Sequence, residues 1–260
     1  MKPGYLKISG DAEVRRLTLA RPDVRNAFDA ELITQMTSAL RELAAEPNLR
    51  TLVIAAEGQT FCAGADFHWM GGLKKAGLNA NIEDSRRLFD LFLALYSFPC
   101  PTIARVQGGA FGGGAGLVAC CDFVVMAEGA VISFSEVKIG LVPAMISPFV
   151  IRKIGEGRAR EVFLTGTQIS GQRALEIGLA NRVVPAAALD AAVEEYTDAL
   201  SRGGPQALRV TKQLLREVPG MPLDKAEEFT SRGIAEQRMS DEGQEGMAAF
   251  LEKRKPNWMS

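Results

Sequence analysis

Histidine and paired cysteines, the residues of most metal and redox sites, are scarce in this sequence. The chain has one histidine, His68, in 260 residues, so a two-histidine zinc site or an HExxH protease would lack its ligands. Its four cysteines (Cys62, Cys100, Cys120 and Cys121) show no CxxC spacing, and we expect four reduced thiols. Neither a GxSxG elbow nor a GxxxxGK(S/T) loop is present. We therefore expect no metal site and no serine hydrolase.

An excess of charge and a long apolar run are also missing. Lys and Arg number 30 against 31 Asp and Glu, a formal net charge of −1, which gives no general attraction to nucleic acid or anionic membranes. No apolar run reaches the roughly 18 residues of a membrane span. The first five residues lack the apolar stretch of a signal peptide. We expect a cytoplasmic protein with neither nucleic acid nor membrane as a partner.

The hydrophobic pattern of the first half predicts strands that alternate with helices. Residues 5–10 and 14–20 alternate apolar and polar around a Gly-Asp turn, as in a hairpin. Asp29 is placed to cap a helix that ends at Pro47. Continuously apolar runs at 51–56 and 102–106 predict strands buried on both faces of a parallel sheet.

Two other stretches complete the coarse plan. Residues 70–82 are glycine-rich and weakly patterned, which predicts a mobile loop before a helix from about Asp84 to Ser97. After residue 186 the strands stop, and Gly and Pro separate four predicted helices. The pattern indicates a β/α body followed by a helical piece, with helices over 186–202, 205–218, 222–238 and 241–254.

Three short segments carry the residues that suggest chemistry. Small residues at 61–66 (FCAGAD) let backbone N–H groups approach a ligand, although this segment on its own is better explained by a tight turn. Residues 108–116 hold six glycines in nine and open a helix, whose free N–H groups face whatever lies there. Glu136 stands in an apolar stretch, where burial would suit it to proton transfer. The alternative for Glu136 is an exposed loop residue paired with Lys138.

In this order, the three segments resemble the enoyl-CoA hydratase/isomerase (crotonase) superfamily. Nearly the whole chain takes part in the resemblance. Within the family, residues 135–138 and 143–149 resemble a branch that includes hydratases of branched glutaconyl-CoA substrates. The other matching segments are Leu19–Pro22, Asn26-Ala27, Leu164–Gly166, Ala174, Gly178–Ala180, Val183–Pro185 and a tail from Gly246 to Pro256.

The resemblance implies a fold and an assembly. The fold class is α/β, with a crotonase-like ββα spiral core over residues 1–200 and a helical trimerisation region over 201–260. The substrate would be an acyl-CoA thioester, so no separate cofactor is implied. The chain would assemble as a trimer or a hexamer.

The resemblance also assigns the site. It implies Glu136 as the catalytic base and the N–H groups of Ala63 and Gly113 as an oxyanion hole for the thioester oxygen. Phe250 and Lys253 would reach the CoA of a neighbouring subunit. The other residues implied in CoA or substrate binding are Arg25, Ala27, Ala63, Gly64, Ala65, Asp66, Phe67 and Gly112.

One position departs from the family pattern. Typical hydratases carry a first glutamate three residues after the second oxyanion glycine, and this chain has Gly116 there. The chain could be a hydratase that uses Glu136 alone, or a Δ3-Δ2-enoyl-CoA isomerase. A non-catalytic acyl-CoA-binding relative is the further alternative. Other side chains could also act, with His68, Glu83 or Asp84 as a second acid–base group and Lys74, Lys75 or Arg86 as partners of a substrate carboxylate.

Overall fold

The computed structural model describes residues 4–73 and 76–259, with only the backbone of Phe67 and Leu73. Lys74 and Lys75, two predicted partners of a substrate carboxylate, lie outside the described residues. The strands are β1 (Leu6–Gly10), β2 (Val14–Leu19), β3 (Thr51–Ala56), β4 (Thr60–Cys62), β5 (Thr102–Val106), β6 (Gly109–Phe111), β7 (Phe123–Ala127), β8 (Val131–Ser133), β9 (Ile169–Ser170) and β10 (Arg182–Val184).

Helices cover these strands and form the C-terminal part. The helices are α1 (Ala30–Ala44), α2 (Phe67–Leu73), α3 (Gly77–Tyr96), α4 (Gly113–Cys120), α5 (Ser147–Ile154), α6 (Glu156–Thr165), α7 (Gly171–Glu176), α8 (Leu189–Ser201), α9 (Pro205–Glu217), α10 (Leu223–Met239) and α11 (Asp241–Leu251). Among the described residues, none of these helices is both long and apolar enough to cross a membrane.

The strands form two sheets. The larger has the order β1-β2-β3-β5-β7-β10, and the smaller has the order β4-β6-β8-β9. The hairpin β1–β2 is antiparallel, while the pairs from β2 to β10 are parallel. Every residue of β3 is buried, as its apolar run predicts for a strand covered on both faces.

The two sheets are linked by a repeated unit. Each of β3, β5 and β7 ends in a tight turn, and a three-residue strand of the smaller sheet follows: β4, β6 and β8 respectively. β4, β6 and β8 are parallel neighbours, so successive units stack side by side. This stacking confirms the predicted ββα core. It also places the residues that follow β4, β6 and β8 close together.

The first helix shows how local sequence sets an element boundary. The Asp29 carboxylate accepts the Leu32 N–H at 2.8 Å and caps α1, as predicted. The apolar face of α1 is buried in the core. Just before the cap, the Phe28 ring meets Phe92 of α3 edge to face, with the ring centroids 6.4 Å apart.

The prediction of a loop over residues 70–82 is wrong for the part that the structure describes. Residues 70–73 belong to α2 and residues 77–82 to α3, which begins seven residues before the predicted Asp84; residues 74 and 75 lie outside the described residues. The first turns of α3 are exposed, and Leu78 is 76% accessible. Because only the second half of α3 packs on the core, through residues such as Leu91 and Phe92, the first half carries no amphipathic pattern to read.

A buried arginine and a partly buried lysine fasten the C-terminal helices to the core. The guanidinium of Arg50, just before β3, donates to the carbonyls of Trp258, Ser201 and Gly203 at 3.0, 2.6 and 2.6 Å. Lys212 of α9 forms an ion pair with Asp122 at 2.6 Å. These contacts tie the C-terminal region to the larger sheet. The division of the chain at residue 200 remains a prediction.

Candidate active site

The turn after β4 brings the first motif against the second. Gly64 has φ +87°, a left-handed conformation that favours glycine. A Cβ there would lie 2.8 Å from the Phe111 carbonyl oxygen and 3.8 Å from the Gly112 Cα. Only a residue without a side chain permits this approach. The small residues of 61–66 and the glycines of 108–116 therefore form one structure.

The two alanines of this turn, Ala63 and Ala65, differ in the hydrogen bonding of their backbone N–H groups. The Ala63 N–H donates to the Arg25 carbonyl at 3.0 Å, so the donor that the resemblance assigned to the oxyanion hole is already used. Ala65 differs. Its neighbours Gly64 and Asp66 bond the backbone of Phe28, each at 2.8 Å.

Because N–H groups alternate along extended backbone, the Ala65 N–H points away from Phe28. Within the described residues it donates to no backbone oxygen. The assignment of Ala63 is therefore corrected, since its N–H cannot serve both Arg25 and a substrate. Ala65 provides the free donor.

The second donor comes from the start of α4. Gly112 has φ +50° and ψ −119°, a conformation open only to glycine, and its N–H donates to the Ser133 carbonyl at 2.9 Å. Gly113 is the first helical residue, so its N–H has no partner within the helix. Among the described residues, the Gly113 N–H therefore donates to no backbone oxygen and lies at the positive end of a helix.

Glu136 lies directly beside this helix start. It opens a short 3₁₀ helix, Glu136–Ile139, and its Oε1 would be 3.2 Å from a Cβ on Gly112. Its Oε2 is buried and receives no hydrogen bond from any described residue. Burial therefore raises the pKa of the Glu136 carboxyl, because desolvation penalises the charged form. The predicted alternative, pairing with Lys138, is absent from the ion pairs among described residues.

A cavity of about 560 Å³ opens at the turn that carries Ala63 and Ala65. Phe111 and Ser135 line it, immediately before Gly112 and Glu136 in the chain. The predicted CoA-binding residues Arg25, Ala27, Ala63, Ala65 and Asp66 also line it, and Gly64 lies in the same turn. The lining residues that the sequence did not predict for CoA are Asp23, Val24, Thr60, His68, Phe111 and Ser135.

Asp66, one of the predicted CoA-binding residues, also has a structural role at the start of α2. The Asp66 carboxylate accepts the His68 N–H at 2.8 Å and so caps α2. Phe67 begins α2, but its side chain lies outside the described atoms. His68 lines the cavity, and its side chain is exposed. It therefore lies at the solvent edge of the cavity, whereas the Oε2 of Glu136 is buried.

Apolar side chains fill the space beside Gly116, the position where typical hydratases carry their first glutamate. A Cβ on Gly116 would lie 2.3 Å from the Ile146 Cγ2 and 3.2 Å from the Phe92 Cε1. Gly116 and Gly112 are one helical turn apart, with the Gly116 N–H bonded to the Gly112 carbonyl, so they share a face. Ile146, which is 3% exposed, thus fills the space that a side chain at position 116 would enter.

The other candidate acid–base residues lie on α3. Glu83 is exposed and faces Arg86 and Arg87 at 3.7 and 4.0 Å. Arg86 is thus engaged by Glu83 on the helix surface. Burial raises the pKa of Asp84, with Arg87 acting in the opposite direction. Among the described residues, no hydrogen bond or ion pair connects Glu83 or Asp84 with Glu136, so neither is placed as its partner in acid–base chemistry.

Phe250 and Lys253 lie away from the cavity of their own chain. Phe250 lines a separate apolar groove with residues that include Met247 and Trp258, and it is 82% exposed. Lys253 follows the end of α11 and has φ +55°. Their predicted contact with a neighbouring subunit's CoA stays a prediction.

Among the described residues, the N–H groups of Ala65 and Gly113 donate to no backbone oxygen, and the partly buried Glu136 carboxyl lies beside Gly112. Such groups are typical of enzymes that move protons and stabilise an oxyanion. Comparison with known proteins gives the family. A family model described as enoyl-CoA hydratase/isomerase matches residues 9–260. The chain belongs to that family, which confirms the resemblance and the predicted enzyme class.

Individual relatives cover nearly the full chain. A crystal structure of an enoyl-CoA hydratase from Shewanella pealeana superposes with a TM-score of 0.94 at 39% identity, over 99% of this chain and 97% of that one. A mevalonyl-coenzyme A hydratase of Aspergillus fumigatus is 34% identical over 93% of this chain and 90% of its own. A 2,3-dehydroadipyl-CoA hydratase of Escherichia coli is 31% identical over 97% and 98%.

Proposed function

We propose that this enzyme adds water across the 2,3 double bond of an enoyl-CoA thioester, with Glu136 as its one carboxylate base. The N–H groups of Ala65 and Gly113 would hold the thioester oxygen between them. The observation that carries the proposal is the Glu136 carboxyl, which is partly buried against Gly112 and has an unpaired Oε2. CoA is part of the substrate, and the reaction needs no other cofactor.

The proposed reaction moves one proton through one carboxyl. Glu136 takes a proton from water as the water oxygen bonds C3, and the C2–C3 electron pair moves into the thioester as an enolate. The two N–H donors stabilise the negative oxygen, a contribution of roughly 3–4 kcal/mol for each donor in enzymes where one has been removed. Glu136 then returns the proton to C2, and the enolate collapses to the thioester.

A specific observation favours a second candidate, isomerisation of a 3-enoyl-CoA to the 2-enoyl form. Ile146 fills the Gly116 position, so the site has no second carboxylate there to hold a water molecule. A single base can take a proton from C2 and return it to C4. The two reactions share the same oxyanion hole and the same Glu136. They differ in whether oxygen enters the product.

Mass spectrometry in heavy-oxygen water separates these candidates. The protein would be incubated with straight and branched 2-enoyl-CoA and 3-enoyl-CoA thioesters, among them the unsaturated dicarboxylic class represented by the Escherichia coli relative. Heavy oxygen in a 3-hydroxyacyl product supports hydration. Conversion of a 3-enoyl to a 2-enoyl thioester without oxygen uptake supports isomerisation. Binding without either product would contradict both reactions and leave an acyl-CoA-binding protein.

The raised pKa of Glu136 predicts an acid limb in the rate profile. Because burial favours the protonated form, the base stays neutral to a higher pH than an ordinary glutamate. We expect kcat/KM to fall with decreasing pH through a midpoint above the usual 4.5. Initial rates over a pH range in which circular dichroism remains unchanged would measure it. A midpoint at or below 4.5 would contradict the desolvated geometry.

We also propose that α9–α11 assemble copies of the chain into a trimer or a hexamer. Phe250 and Leu251 on α11 are 82% and 79% exposed, and an apolar groove of about 520 Å³ adjoins them. A monomer rarely leaves such a surface open to water.

The assembly predicts the effect of one charge. Phe250→Asp is expected to shift the mass measured by size exclusion with light scattering from the oligomer to the monomer, because the buried interface would gain an unpaired carboxylate. Ile8→Asp, a similar change at a 48% exposed residue of β1, is the matched control. An unchanged mass for Phe250→Asp would argue against an interface at α11.

A further inference from the structure

Asn26 is a fully buried polar residue beside the oxyanion turn. It is 0% exposed and has φ +54°, while its neighbour Arg25 has φ +52°. Two successive non-glycine residues in this left-handed region are unusual, and Asn tolerates it better than most side chains. The conformation therefore needs support from the surrounding structure.

The Asn26 amide provides that support with three hydrogen bonds. Its Oδ1 accepts the Arg21 N–H at 2.8 Å. Its Nδ2 donates to the carbonyls of Glu57 and Thr60, each at 2.9 Å. Glu57 follows β3 and Thr60 begins β4, so one side chain fastens the loop that precedes α1 to the turn between the two sheets.

The loop that Asn26 anchors, residues 25–28, is hydrogen-bonded to the oxyanion turn, residues 62–66. The Arg25 carbonyl accepts the Ala63 N–H at 3.0 Å, and the Asn26 carbonyl accepts the Cys62 Sγ–H at 3.1 Å. Two residues on, Phe28 bonds Gly64 and Asp66, each at 2.8 Å. The backbone around Ala65 is therefore held on both sides by the loop that Asn26 anchors.

We propose that Asn26 is a positioning residue, which sets the direction of the Ala65 N–H toward the thioester oxygen without touching the substrate. The proposal rests on the proposed oxyanion hole. Without the amide, the backbone of residues 25–28 loses its side-chain hydrogen bonds to Glu57 and Thr60 and can relax from its strained conformation. The Ala65 N–H then moves with it, and displacement of a catalytic donor by about 1 Å can cost on the order of 100-fold in rate.

The carbonyl of a bound thioester reports this geometry directly. Crotonyl-CoA labelled with heavy carbon at its carbonyl would be bound to protein in the Glu136→Gln background, in which we expect turnover to be slow. Difference infrared spectra then give the carbonyl frequency, which falls as hydrogen bonds to the oxygen strengthen. We expect a clear fall in the Glu136→Gln protein and a smaller one when Asn26→Gly is added.

Kinetics of Asn26→Gly in the otherwise native protein give the second readout. Glycine keeps the left-handed backbone accessible and removes all three side-chain hydrogen bonds. We expect kcat to fall by about 10- to 100-fold and KM to change by less than about threefold, because the lost interaction strengthens in the transition state. Asn26→Asp, which keeps the shape and loses both donors when ionised, is the second variant if Asn26→Gly does not fold.

A second asparagine that bonds the backbone, the exposed Asn181, is the control for a general loss of anchoring. The Asn181 Oδ1 accepts the Val124 N–H at 2.8 Å, at the start of β7 and therefore at the opposite sheet edge from the site. Asn181→Gly is expected to leave both the carbonyl frequency and kcat at their original values. Equal losses in the Asn181 and Asn26 variants would overturn the positioning role.

The outcomes separate this inference from the proposed function. A full frequency fall with native kcat in a folded Asn26 variant overturns the positioning role and leaves the oxyanion hole intact. A bound thioester with no frequency fall, even when Asn26 is present, overturns the oxyanion hole and the positioning role together. The heavy-oxygen measurement tests turnover independently of both.

Discussion

Glu136→Ala is expected to lower kcat by about 10²- to 10⁴-fold, the usual range for loss of a general acid–base group. The reason is that no other carboxylate stands at the Gly116 position, where Ile146 and Phe92 fill the space. The Kd for the CoA thioester should stay within about threefold, because the proposed reaction places Glu136 at the reacting carbons and not at the CoA moiety. Single-turnover kinetics and equilibrium binding measure the two quantities separately.

The control for this variant is Glu128→Ala, which removes an exposed glutamate from the turn after β7. It should retain native kcat. The melting temperature of Glu136→Ala should stay close to that of the native protein, so a loss of folded protein cannot explain the lower rate. The reason is that the removed carboxyl is desolvated and its Oε2 receives no hydrogen bond from any described residue. Near-native turnover in a folded Glu136→Ala protein would rule out both hydration and isomerisation through this residue.

Gly116→Glu is expected to destabilise the fold by about 3–5 kcal/mol, although it introduces the residue type that typical family members carry there. A Cβ at this position would overlap the Ile146 Cγ2, at 2.3 Å, and the new carboxylate would be buried among apolar side chains. Both overpacking and an unpaired buried charge raise the free energy of the folded state. Urea unfolding gives the free energy directly.

The double variant Gly116→Glu/Ile146→Ala tests the cause. Removing the Ile146 methyl groups makes room for the glutamate, so the double variant is expected to be more stable than Gly116→Glu alone. Ile146→Ala by itself should cost about 2–5 kcal/mol, as for other buried isoleucines, and it provides the reference for a double-mutant cycle. Additive losses in the cycle would show that Ile146 does not exclude a side chain at position 116.

Local patterns in the sequence were enough for the elements with strong periodicity. The β1–β2 hairpin, the Asp29 cap of α1 and the buried strands β3 and β5 follow from alternation, one capping residue and short apolar runs. Each of these features depends on residues within a few positions of one another. The helix α3 was only half predicted, because its first turns pack on nothing that would demand an apolar face.

The smaller sheet illustrates what local patterns miss. Its strands are two or three residues long and lie in stretches rich in glycine and small residues, such as Gly109–Phe111. No periodicity can be read in so few residues. These strands exist because the turns after β3, β5 and β7 bring them together in parallel, and that arrangement depends on the packing of the larger sheet.

The sequence by itself determined the family and the order of its glycine motifs. It also determined that Glu136 is present and that glycine stands at position 116, where the resemblance leads one to expect a second glutamate. Only the tertiary structure decided which N–H groups are free, because a donor's availability depends on acceptors elsewhere in the chain. Arg25 takes the Ala63 N–H and leaves that of Ala65. The structure also showed that Ile146 closes the space beside Gly116, since contacts between residues 30 positions apart arise only when the helices pack.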